Sequence, residues 1–216
     1  MGLVNRRAVG MTLYSDATDH YSHRIRFVLA EKESAVEIIS IDPQHKPEDL
    51  ADLNPYNTLP TLVDRDVCLY ETKIMIEYLD ERFPHPPLLA SYPVARALTR
   101  QYAYRIERDW CVLVDTILHD EDDEKVLAAR KELRESLISI APIFAEKPYF
   151  MSDEFSMVDV IMAPILWRLP VLRIELPEKP CRPLLRYMDR LFAREAFVQS
   201  LTPAEKNMRY LKEKLL

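Results

Sequence analysis

Few residues of this chain stand at spacings that do chemistry. His20 and His23 lie three apart in "TDHYSHRIRFVLAEK", and on a helix they would share one face. Two imidazoles begin a metal site, but no third ligand accompanies them, so a solvated helix face is expected. The run "HDEDDE" (119–124) gathers carboxylates without the alternate spacing and glycine of a calcium loop, and reads as a solvated loop. Cys68, Cys111 and Cys181 are widely separated and form no C-x-x-C pair, which argues against a disulfide framework or a structural zinc site. The only glycines are Gly2 and Gly10. A dinucleotide fingerprint, a phosphate-binding P-loop and a nucleophile elbow all need glycine for a tight turn or close backbone approach, and are excluded from residue 11 onward.

The stretch "RFPHPP" (82–87) is different in kind. Pro84, Pro86 and Pro87 crowd around His85 directly after a helical pattern. Such a stretch is stiff, extended and unable to join a β-ladder. It is either a joint between domains or a surface built for contact.

These residues need elements to place them. "MTLYS" (11–15) reads as a strand, and "TDHYSHRIRFVLAEK" as a helix with Tyr21, Ile25, Val28 and Leu29 on its inner face. A second strand spans 36–42, a short helix follows in "PEDLADLN", and 60–70 reads as a hairpin turning at Arg65-Asp66. Residues 71–83 form a helix with Ile74, Met75, Tyr78 and Leu79 inward. The order β-α-β-α-β-β-α predicts a thioredoxin-like α/β domain over residues 1–83. Residues 84–93 form a Pro-rich linker, and 94–216 an all-helical domain. Leu98, Tyr102, Ile106, Trp110, Leu113 and Ile117 define one long helix. Further helices lie in "KVLAARKELRESLISIAPIFAEK", "FSMVDVIMAPILWRL" and "PLLRYMDRLFAREAFVQSL".

Two local motifs accompany these elements. Pro60 opens a strand, where a trans edge start and a cis Leu59–Pro60 bond that turns the Leu59 backbone outward both remain open. "FSMVDV" is a capping box in which Ser156 and Asp159 satisfy each other's backbone N–H groups, with Phe155 and Val160 as the staple.

Composition sets the class. The chain of 216 residues is 48% hydrophobic and 30% charged, with net charge -6. That balance fits a globular protein and disfavours nonspecific nucleic-acid binding. Arg96, Arg100, Arg105 and Arg108 give the long helix a basic side, but Glu107 and Asp109 interleave, which suits an interface better than nucleic acid. Neither a signal peptide nor a run of roughly 20 apolar residues is present, so a cytoplasmic protein away from membranes is expected.

The α/β module, the Leu-Pro before the hairpin and the S-x-x-D box in a helical domain together resemble the cytosolic glutathione S-transferase superfamily over nearly the whole chain. The finer strings "YSHRIRFVLAEK", "PTLVDR", "EYLDERFPHPPL", "YPVAR", "SDEFSMVD" and "WRLP" resemble the stringent starvation protein A family. That resemblance implies the transferase fold, association with RNA polymerase holoenzyme including its sigma factor, and regulation of transcription under stress. It implies a homodimer without direct sequence-specific DNA contact. It makes Pro84, His85, Pro86 and Pro87, with Tyr92, the partner-binding residues.

In transferases a Ser, Tyr or Cys near the start of the first helix activates the glutathione thiol. By resemblance that position falls near Asp19. A carboxylate cannot donate to a thiolate and would raise the thiol pKa, so Asp19 reads instead as a helix N-cap. Ser15, Thr18, Tyr14 and Tyr21 lie close by, and Ser15 is the concrete candidate if the chain is an active transferase or peroxidase after all. The resemblance also gives a vestigial glutathione-like pocket. Leu59 and Pro60 would meet the cysteinyl part. Glu71 and Thr72 would meet the γ-glutamyl end, or else merely start a helix, with Thr72 as its cap and Glu71 complementing its dipole. No functional cofactor is expected. A scaffold for another partner, such as a translation complex, is a further alternative.

Overall fold

The computed structural model describes residues 10–210. Residues 1–9 and 211–216, which include the N-terminal stretch and the far end of the second domain, lie outside the described residues. Two units make up the chain. The first comprises 1–86 with 196–205, and the second 87–195 with 206–216. The sequence boundaries assigned everything after residue 93 to the helical domain, whereas 196–205 counts with the first unit.

In the first unit, β1 (Met11–Ser15), β2 (Val36–Ser40), β3 (Thr61–Asp64) and β4 (Val67–Leu69) form one sheet in the order β2-β1-β3-β4. β1 runs parallel to β2, with Met11 opposite Val36, and antiparallel to β3, with Met11 opposite Asp64. The two inner strands are buried along their whole length while β2 is mostly open, as the sheet order requires. The hairpin turns at Arg65 and Asp66, and Arg65 takes the left-handed conformation (φ 53) such a turn demands. Between the strands lie α1 (His20–Glu31) and the short α2 (Leu50–Leu53), and α3 (Thr72–Arg82) follows β4. Tyr14, Ile41, Leu50, Leu53 and Val63 pack as one cluster, with Ile39, Leu59 and Cys68 against it.

Two inward faces differ from expectation. On α3, Met75, Ile76 and Leu79 are buried, but Ile74 is 54% exposed and Tyr78 only half-buried. On α1, burial runs nearly all the way round and includes His20, Ser22, His23, Arg24 and Arg26. The expected solvated face is therefore absent. Phe197, from α9 (Glu195–Ser200), lies 5.1 Å from the His23 ring and 5.2 Å from Phe27.

The second unit is helical. α4 (Pro93–Ile106) and α5 (Val112–His119) are joined by a π-helical turn, Glu107–Cys111, so the expected single long helix carries an extra residue in its middle. There the Trp110 indole N–H donates to Ser136 Oγ at 2.8 Å. Ala103, Ile106, Trp110 and Val114 face inward, while Leu98 is exposed. α6 (Asp123–Ile140) starts within the acidic run, where Asp122 accepts from the N–H groups of Glu124 and Lys125. A 3-10 turn, Ala141–Ala145, ends it at Pro142. α7 (Met157–Trp167) is buried from Met157 to Leu166, as a central helix must be when it is apolar on every side.

α8 (Glu178–Phe192) begins five residues before the expected "PLLRYMDRLF" start and ends at Ala193, so the helix expected to run on through "AREAFVQSL" is broken there. α10 (Pro203–Tyr210) was not anticipated. Arg209 on it lies between the Trp167 and Phe192 rings, 4.9 and 4.7 Å from their centroids. Cys68, Cys111 and Cys181 are all free. Among the described residues no helix is long and apolar enough to cross a membrane.

Candidate functional site

The start of α1 is occupied by the protein's own carboxylates. Asp19 is its N-cap and accepts from Tyr21 N–H at 3.1 Å and Ser22 N–H at 2.7 Å. Asp16 accepts from Thr18 N–H, Thr18 Oγ and Asp19 N–H at 2.6, 3.0 and 3.1 Å. Helix N-termini favour anions because their first N–H groups lack partners. Here those groups already face carboxylate oxygens, so a thiolate would meet a like charge in place of open donors.

The Ser15 and Thr18 hydroxyls are committed too. Ser15 is buried, accepts a bond from Arg26 Nη1 and donates to the Asp16 carbonyl at 3.1 Å. A hydroxyl has one proton, and this one is spent. Tyr14 belongs to the buried cluster of the sheet. Tyr21 stacks near His20 (3.9 Å between centroids) and under the Arg24 guanidinium (4.8 Å).

The expected glutathione-like pocket residues are placed as follows. The Leu59–Pro60 bond is cis. The loop before it is held by buried Asn54, whose amide donates to Thr58 O, Thr58 Oγ and Thr61 Oγ at 3.0, 3.0 and 3.1 Å. Glu71 stands at the N-cap position of α3 with φ 69 and ψ 108, and its exposed side chain makes no capping bond. That backbone conformation costs roughly 1–3 kcal/mol for a non-glycine residue. Thr72 is not the cap that the sequence suggested. It is the first helical residue, buried, and its hydroxyl accepts from Arg24 Nη1 at 3.1 Å. Arg24, which is fully buried, thus ties α1 to α3 behind the pocket residues.

His20 and His23 make no metal site, and no cluster of three or more metal-ligating side chains occurs among the described residues. His23 Nε2 lies 3.0 Å from Ser200 Oγ and Nδ1 lies 3.4 Å from Glu205. Glu205 also pairs with Arg26 at 2.7 Å, with both side chains buried. Arg26 also donates to Ser200 O, Ser15 Oγ and Asp16 O.

The Pro-rich segment sits at the end of α3. Pro84, His85 and Pro86 are exposed in the first unit, and the His85–Pro86 bond is also cis, which the sequence did not signal. The Pro86 carbonyl accepts from Lys32 Nζ. Lys32 closes α1, its side chain is fully buried, and it pairs with Asp80 of α3 at 2.7 Å. Pro87 and Tyr92 belong to the second unit. There they border a groove of about 350 Å³ with Tyr102, Phe150 and Phe155, and Tyr92 is 69% exposed. Sequence reasoning missed Lys32 and Asp80. Each sits in an ordinary charged helix pattern, and nothing local marks either as buried.

The fold and these features define a glutathione S-transferase fold. The family model for the glutathione S-transferase N-terminal domain matches residues 13–87, and that for the C-terminal domain residues 96–195. The crystal structure of glutathione transferase Omega 3C from Trametes versicolor superposes with a TM-score of 0.78 at 23% identity, covering 98% of this chain and 95% of that one. The stringent starvation protein A homolog of Pasteurella multocida is 50% identical over 205 residues, which is 94% of this chain and 96% of its own length. That of Coxiella burnetii is 48% identical over 199 residues, 92% and 95% of the two chains. The chain belongs to the stringent starvation protein A family.

Proposed function

We propose that this chain is a non-catalytic member of the transferase fold that binds RNA polymerase and regulates transcription during stress. In this reading it works as a cytoplasmic homodimer and reaches DNA only through the polymerase. Its contact residues are Pro84, His85, Pro86 and Pro87, together with Tyr92. The observation that carries the reading is four consecutive exposed residues at the end of α3, Pro84 to Pro87, three of them prolines that keep the exposed stretch stiff. Prolines hold the segment in few conformations, so little chain entropy is lost when a partner docks. The carboxylate at residue 19 supports the non-catalytic half. The position that would activate a thiol holds a group that cannot donate, and Ser15 has no proton to spare.

The test replaces Pro84, His85 and Pro86 together with alanine. The expected variant melts like the parent and no longer retains RNA polymerase in a pull-down. A native melt with retained binding would make the segment a joint and nothing more.

A further inference from the structure

We propose that the buried Lys32–Asp80 pair is the positioning device of the Pro84–Pro86 contact segment. This inference rests on the reading of that segment as a contact surface.

The geometry has three parts. Lys32 stands at the C-terminal end of α1, Asp80 two residues before the end of α3, and Pro86 beyond that end. The ammonium of Lys32 donates both to Asp80 Oδ1 at 2.7 Å and to the Pro86 carbonyl. Its side chain is fully buried and that of Asp80 is 8% exposed. A lysine in such a place is unusual, because burial of an ammonium is costly unless each donor has an acceptor. A simple α1–α3 ion pair would need only Asp80. The second acceptor is a backbone carbonyl of the exposed segment, and a proline peptide offers no N–H by which a ladder could hold it. The ammonium is therefore an anchor for a stretch that cannot anchor itself. It holds the far side of His85, while the end of α3 holds the near side.

Lys32 touches no partner in this account and acts through His85 and Pro86. Removing the pair should free the segment without unfolding the domain, since an apolar pair of similar volume often replaces a buried ion pair at no loss of stability. The test variant is Lys32→Met with Asp80→Leu. Its thermal melt, the His85 imidazole resonances and its affinity for RNA polymerase are measured together. The expected result is a native melt, His85 resonances narrowed and shifted toward those of a free peptide, and polymerase binding weakened about ten-fold, the loss expected when a preorganised contact becomes mobile. Lys32→Arg, which keeps the charge and its donors, should restore the parental His85 signals. Unchanged His85 resonances in a folded double variant would overturn the proposal.

Should the double variant not fold, the parental protein decides. Its Lys32 ammonium should be protected from solvent exchange and show scalar coupling across the hydrogen bond to the Pro86 carbonyl carbon, and the lack of that coupling would overturn the anchor. The two readings fail separately. Mobile His85 with undiminished polymerase binding upholds the anchor and rejects the contact surface, while rigid His85 in the double variant rejects the anchor whatever the polymerase does.

Discussion

A carboxylate at residue 19 changes what the start of α1 can hold. Asp caps a helix as well as Ser does, so the substitution of one for the other costs the fold little and the chemistry a great deal. The Asp19 oxygens take the N–H groups of Tyr21 and Ser22 that an incoming anion would use. Ser15 lies within the same stretch, but its proton goes to Asp16 and its lone pair to Arg26. The expected outcome is an absence of thiol activation. Conjugation of an aryl halide with glutathione should proceed at the uncatalysed rate from about pH 6 to about pH 9, the range over which a working site would reveal a lowered thiol pKa. A rate increase with an apparent pKa below the ordinary thiol value would restore the enzyme reading.

At the scale of elements, α7 and α8 are locked by one buried network. Asp159 completes the capping box by accepting from Ser156 N–H at 2.8 Å, and it also accepts from Phe150 N–H at 2.9 Å and the Tyr187 hydroxyl at 2.6 Å. Burial pushes the Asp159 carboxyl up despite these donors, and it pushes the Tyr187 phenol well above the usual tyrosine value, with the Asp159 charge adding to the effect. Above about pH 10 an unfolded chain has lost the Tyr187 proton while the folded chain keeps it. The folded state then binds more protons, so stability falls as pH rises through this window. Tyr187→Phe should lower stability at neutral pH by about 1–3 kcal/mol, because Asp159 loses a donor in a buried site. The same variant should lose less stability than the parent between about pH 9 and about pH 11, where Tyr187 no longer contributes. Urea midpoints at both values check it, and equal alkaline losses in the two proteins would contradict the network.

For the whole molecule, the long helical pair α4–α5 carries more apolar surface than its own core uses. Val94, Leu98, Tyr104 and Val112 are all more than two-fifths exposed. Arg105 pairs loosely with Asp109 at 3.9 Å, and Arg108 reaches the Tyr104 hydroxyl at 3.3 Å, so the basic side is interleaved with acceptors and aromatic groups. A second copy of the chain is the expected cover, since a two-fold interface repeats one such patch on itself. Sedimentation at micromolar concentration should report about twice the 25.3 kDa chain mass. Leu98→Asp should shift the population toward monomer while leaving the helical content intact. A parental monomer at that concentration would exclude the dimer.

What the sequence determined by itself was local. The hairpin at Arg65-Asp66, the Asp19 cap, the Ser156–Asp159 box and the strand–helix order all depend on residues within a few positions of one another, so propensity and spacing reveal them. The exposure of Pro84 to Pro87 was legible for the same reason, since proline removes the donor a packed element needs. Tertiary structure decided what α1 touches. His20 and His23 read as solvated because their own helix shows a polar face there, yet Ser200 and Glu205 meet His23 and Arg26 from 177 and 179 residues away. No periodicity within α1 encodes that cover. The same holds for Lys32, whose acceptors at Asp80 and Pro86 lie 48 and 54 residues on. A charge becomes an anchor only when distant chain removes it from water and supplies its partners together, and that is a property of packing.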